Sequence, residues 1–142
     1  MTTTKTSGRR LEACLLLLRL SVGLVMMVWA FDKIVNPAHG GAVLEGFYGL
    51  AGIGEPLIRA AGAVEGLIVL AFLLGLARTW TYGALLAMHS VTTLVSWSAY
   101  LNPLANILFF AAWPMLAALI TLFLLRDEDR LAALGARPRR AG

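Results

Sequence analysis

The sequence predicts an all-α membrane protein: a four-transmembrane-helix bundle with an interfacial or re-entrant segment after the first span. Two observations carry this. Hydrophobic residues make up 59% of the 142-residue chain and charged residues 14%, where a soluble domain carries roughly 25% charged residues. The apolar residues also gather into four stretches of ~20 residues, the length whose ~1.5 Å rise per residue crosses a ~30 Å hydrocarbon layer. A soluble fold of this size has no interior large enough to bury them.

Residues 1–10 are polar and Thr-rich, and composition predicts a flexible N-terminus there. The first span covers about 11–35. Its basic start and apolar run resemble a signal peptide, but Arg19 interrupts the run and no small-x-small cleavage site follows, so it reads as an uncleaved helix. Asn36-Pro37 stops it, because proline disfavours helix at the preceding residue. The loop 36–56 contains six glycines but also Phe47, Tyr48 and Leu50, which suits a segment lying at the interface. The second span, about 56–77, opens with proline in a favoured first-turn position. Arg78-Thr79-Trp80-Thr81 reads as a tight turn. The third span covers about 82–101 and ends at Asn102-Pro103. The fourth covers about 105–125, where Pro114 should kink it by freeing the carbonyl of Phe110. A basic tail, 126–142, closes the 11–125 transmembrane domain and ends in Arg137, Arg139 and Arg140.

The net charge of +4 does not point to nucleic acid, because the basic residues flank the spans. Three Lys or Arg precede the first span, Arg78 follows the second and five Arg lie in the tail, whereas loop 36–56 and the turn at 102–104 have none. The positive-inside rule then places both termini in the cytoplasm of a multi-pass protein. Cys14 is the one cysteine, which excludes thiol relay and carriage of metal on a cysteine pair.

A charged group at bilayer depth costs a few kcal/mol or more, so each needs a partner or a purpose. The buried polar candidates are Arg19, Lys33, Glu65 and His89. Arg19 and Lys33 are about four helical turns apart and share a face of the first span. Glu65 sits within Gly62-Ala63-Val64-Glu65-Gly66, a frame that lets a second helix approach closely. Either cation could neutralise it, giving a structural ion pair or, alternatively, a protonatable carboxylate that meets a ligand. His89 heads a stripe of Thr92, Thr93, Ser96 and Tyr100 along one face of the third span. Such hydroxyls commonly bond the carbonyl four residues back; otherwise the stripe lines a polar pocket with His89 as its titrating group. No metal site is visible, and His39 and His89 are placed too far apart to share a haem iron. The aromatics Trp29, Phe31, Phe47, Tyr48, Trp97 and Tyr100 form an interfacial belt. The same region also suits a quinone headgroup, which needs a flat apolar slot with one or two polar anchors.

Four segments carry a family resemblance: Leu17-Leu18-Arg19-Leu20 with Gly23; Asp32-Lys33 with a proline beyond; Gly62-Ala63-Val64-Glu65-Gly66; and Leu74-Gly75-Leu76-Ala77-Arg78. In order and spacing they resemble the DoxX family of small bacterial membrane proteins over roughly residues 15–80. Trp29-Ala30-Phe31-Asp32 stands where that family usually has a glycine, the mark of a divergent member. The resemblance implies a four-helix bundle in the bacterial cytoplasmic (inner) membrane with Arg19, Lys33 and Glu65 as its polar core. The family is named for the membrane subunit of a thiosulfate:quinone oxidoreductase, and the methylamine-utilisation membrane protein is similar. The expectation is therefore a lipid-embedded, quinone-linked subunit that takes electrons from a redox partner protein. Two alternatives stand beside it: a non-catalytic membrane anchor or assembly factor whose tail recruits a partner, and a small-molecule transporter that works as an oligomer.

Overall fold

The computed structural model describes residues 2–136, with side chains from residue 8 onward; Arg137, Arg139 and Arg140 lie outside the described residues. Within these bounds every regular element is helical: α1 (Thr2–Val35), α2 (Pro37–Tyr48), α3 (Glu55–Leu73), α4 (Arg78–Val95), α5 (Trp97–Tyr100), a 3-10 helix (Ile107–Ala111) and α6 (Ala112–Leu124). Gly8–Val35, Glu55–Leu73 and Ile107–Leu124 are long and apolar enough to cross a membrane. Their outward faces stay apolar, with Leu17, Leu24 and Leu67 all more than half exposed, a surface compatible with lipid. α4 has the same 18-residue length as the last of these, but Arg78, His89 and the hydroxyls between them lower its hydropathy.

α1 begins at Thr2, inside the segment expected to be flexible. Once the apolar helix is nucleated, each added residue contributes a hydrogen bond without a new nucleation cost. Segment 36–56 holds α2, whose 12 residues are too few to span. Pro37 sits in its first turn and Gly49, at φ 67°, ends it in the left-handed conformation, which glycine adopts without steric cost.

Two local expectations are corrected. The reversal between α3 and α4 is at residues 74–77, not 78–81: Gly75 (φ 66°) and Ala77 (φ 43°) turn the chain, and Arg78 already belongs to α4. Pro114 does not kink a helix interior. It lies in the first turn of α6, just after the 3-10 helix, where a missing N–H leaves no intrahelical bond unmade.

α1 packs antiparallel on α3 and α4 antiparallel on α6, with α3–α4 and α1–α6 contacts closing the bundle and α2 leaning on α1 and α3. α1 and α3 approach closely at two glycines: a Cβ at Gly23 would lie 2.2 Å from the Leu73 side chain, and one at Gly62 would lie 2.8 Å from the Ala30 carbonyl oxygen, a backbone atom; at Gly66 it would be 3.8 Å from the Ala30 Cβ. Leu15, Val22, Met26, Val69, Phe72, Tyr82, Leu85, Leu119 and Leu122 form the core. The bundle thus has two distinct ends, one capped by α2 and one by the tail.

Candidate functional site: two buried ion pairs and a pair of cavities

At the tail end, the chain after α6 folds back instead of running into solvent as a basic flank. Asp129 is fully buried and lies 3.2 Å from the equally buried Arg19. Its carboxylate also accepts the Tyr82 hydroxyl at 2.6 Å. Arg19 donates further to the carbonyls of Leu131 (2.6 Å) and Ala132 (3.1 Å), and Arg78 donates to those of Arg126 (2.5 Å) and Asp129 (2.9 Å). The Leu134 amide donates to Leu74 O at 2.9 Å. Arg78, which charge counting treats only as a topogenic residue, is therefore a staple. Arg19 Nε and Asp129 Oδ1 have no hydrogen-bond partner among the described residues.

At the α2 end, Lys33 Nζ meets Glu65 Oε2 at 2.8 Å, with the Glu65 side chain 7% and the Lys33 side chain 30% exposed. Arg19 and Lys33 thus take separate partners: Lys33 pairs with Glu65 and Arg19 with Asp129. The placement follows from the helix. Gly62 brings α3 against α1 beside Lys33, and Glu65 lies about one turn further along the same face. Beside this pair, Asp32 accepts His39 Nδ1 at 2.6 Å, so His39 is tied to the end of α1. Arg59, a further cation near the start of α3, is half-exposed and reaches Glu55 at 3.5 Å and the carbonyl of Ile34.

His89 is buried and stacks on Trp29, with ring centroids 5.9 Å apart and planes inclined by 25°. Nε2 lies 3.0 Å from the Ala112 carbonyl, which can only accept, so this nitrogen carries a proton. Nδ1 has no partner among the described residues. Most of the hydroxyl stripe bonds back along α4: Thr92 to Met88 O, Thr93 to His89 O and Ser96 to Thr92 O. Tyr100 reaches Thr93 O at 3.1 Å. Thr92 also meets Tyr48 of α2 at 2.7 Å, a cross-helix bond with no local signal in the sequence.

Two cavities lie in this half of the bundle. The first, about 630 Å³, sits between α1, α2 and α4 and has the Lys33–Glu65 ion pair and the Asp32–His39 pair in its wall, together with Phe47, Tyr48 and Met88. The second, about 520 Å³, lies between α1 and the 3-10 helix with α6 and is lined almost entirely by apolar groups. Trp29, Thr92, Ser96 and Phe109 belong to the walls of both. Each has the size of a small-molecule site. No three His, Cys, Asp or Glu side chains converge on a metal position among the described residues.

Comparison with protein-family models, with curated proteins and with solved structures finds no match.

Proposed function

We propose that this chain is a DoxX-like four-span protein of the bacterial cytoplasmic membrane, with both termini cytoplasmic, and that it is the membrane subunit of a quinone-linked oxidoreductase. The observation that carries the ligand is the first cavity, an aromatic slot with an ion pair in its wall. Lys33 and Glu65 compensate each other, and the Asp32 carboxylate is engaged by His39. No charged group in the wall is left without a partner to hold a charged headgroup, which suits a neutral ring bearing carbonyls. A quinone would supply reversible two-electron, two-proton chemistry there, and the electrons would come from a partner redox protein. Lys33 would donate a hydrogen bond to a ring oxygen, and the Glu65 carboxylate would hold the Lys33 ammonium in position and pass protons to the ring through it. Trp29, Phe47 and Phe109 would flank the ring and exclude water.

The four crossings are supported by continuity. α6 runs back toward the tail, and the tail returns to Arg19 in the first half of the apolar segment Gly8–Val35. If α1, α3 and α6 are immersed, α4 must carry the chain across between α3 and α6. The anchor reading loses support over 126–136, because that part of the tail is held against the bundle. The test is to purify the protein in mild detergent, extract it with organic solvent and assay the extract for quinone, then titrate a quinone into delipidated protein and follow Trp fluorescence. Quinone in the extract and saturable quenching are expected. Neither appearing would overturn the reading.

A further inference from the structure

The two cavities differ in polarity and share a wall, and that combination defines a ligand with two unlike parts. The first has charged groups at one side. The second presents Val22, Val25, Leu108, Ala111, Met115 and Ala118 and no charged group, its hydroxyls coming from Ser21, Thr92, Ser96 and Tyr100. A ring confined to the first cavity leaves the second with no role. A single molecule crossing the shared wall at Trp29 and Phe109 would use both.

The second cavity also reaches the outside. Of its lining residues, Leu108 is 84% and Val25 38% exposed, and the two stand on either side of the seam between α1 and the 3-10 helix. This seam lies along the side of the bundle, where an immersed protein meets acyl chains rather than water. We infer that the ligand is a neutral-headed amphiphile with a long apolar chain, that it enters sideways from the lipid between α1 and α6, and that its chain stays in the second cavity while its ring occupies the first. The inference rests on the ring-binding reading above and adds the ligand's tail and its route. Trp29 is the positioning residue at the crossing. Its ring is held by the stack on His89, which the Ala112 carbonyl fixes in turn, so α4 and α6 together set the width of the passage.

The test uses the full chain in lipid nanodiscs and two probes, a substituted benzoquinone without a side chain and the same ring carrying a decyl chain. Each affinity is compared between wild type and variant, so partition into lipid cancels. Ala111→Phe and Ala118→Phe place an aromatic ring in the second cavity. The expected result is a loss of about tenfold or more for the decyl probe, as buried apolar contact is lost, with a change of no more than about twofold for the bare ring. Ala111 is exposed, so the first variant does not depend on repacking the core. A decyl probe with a photoreactive diazirine at its chain end should, in wild type, label peptides from 108–118. Equal losses for both probes, or labelling confined to α2, would overturn the tail assignment while leaving ring binding in place. Failure of wild type to bind either probe would overturn both.

Discussion

Arg19 of the first helix and Asp129 of the tail face each other at 3.2 Å with both side chains fully buried. An ion pair so placed is weak evidence for net stability, because desolvation of both groups opposes their attraction. Removing one partner is a different matter, since it leaves the other charged and buried. Asp129→Ala should destabilise the protein by about 3–5 kcal/mol, read as a lower melting temperature in detergent. Asp129→Asn keeps an acceptor for Tyr82 and should lose less. If Asp129→Ala melts like wild type, the tail is not docked in solution.

The Lys33–Glu65 pair is more exposed on the lysine side, and its loss should be smaller. Glu65→Ala is expected to cost about 1–2 kcal/mol, between the values for surface and buried pairs, and Glu65→Gln less. The geometry separates the two cations. In double-mutant cycles Lys33 and Glu65 should couple, whereas Arg19 and Glu65 should be additive, as sites without shared partners are. Coupling between Arg19 and Glu65 would contradict the pairing.

Part of this site is legible in the sequence and part is not, for definite reasons. Arg19, Lys33, Glu65 and His89 stand out because charge in an apolar run is costly wherever the chain goes. Their partners do not follow, because long side chains reach several ångströms along a helix, and either cation could serve Glu65. Asp129 was hidden by its neighbours: within Arg126-Asp127-Glu128-Asp129-Arg130 it reads as one solvated charge among five, and its partner is at the other end of the chain. The hydroxyl stripe supports both of its readings. Its groups satisfy themselves on the backbone, yet Thr92 and Ser96 still line the cavities. The helix boundaries moved where turn chemistry outranks hydropathy, at Gly75 and Pro114.

The small-residue frame on α3 makes a sharp distinction between its two glycines. Gly62 lies against backbone, which cannot rotate away, while Gly66 has ordinary contact distance. Gly62→Ala should therefore cost about 1–3 kcal/mol by overpacking and loosen the α1–α3 seam. Gly66→Ala should be neutral or slightly stabilising, since alanine has the higher helix propensity. Equal melting of the two variants would place the close approach elsewhere.

Tyr48 and Thr92 join α2 to α4 through hydroxyls 2.7 Å apart. Besides this bond α2 is held by its contacts with α1 and α3 and by Phe47 against Phe109 of the 3-10 helix. Tyr48→Phe removes the bond but keeps the ring in the cavity wall, and should lower stability by about 1 kcal/mol. The effect should be local, appearing as faster amide hydrogen exchange in 37–48 with little change in 112–124. A uniform increase across the protein would mean that α2 does not open as a separate unit.

The direction of α4 can be tested without reference to its modest hydropathy. In a Cys14→Ser background, single cysteines at Ala51 and Ala105 fall in the two connections at the α2 end of the bundle, and one at Glu128 falls at the tail end. If α4 crosses the membrane, Ala51→Cys and Ala105→Cys should both react with an impermeant maleimide added outside intact cells, and Glu128→Cys should react only after permeabilisation. If α4 instead lies on the cytoplasmic face, position 105 would share a side with α3's end and be protected along with it, and α6 would then deliver the tail to the opposite face. Such a chain could not form the Arg19–Asp129 pair, so the labelling pattern and the melting of Asp129→Ala must agree. The positive-inside argument makes the same demand from charge alone, because Arg78 and the tail can share the cytoplasm with the N-terminus only when an odd number of spans does not separate them.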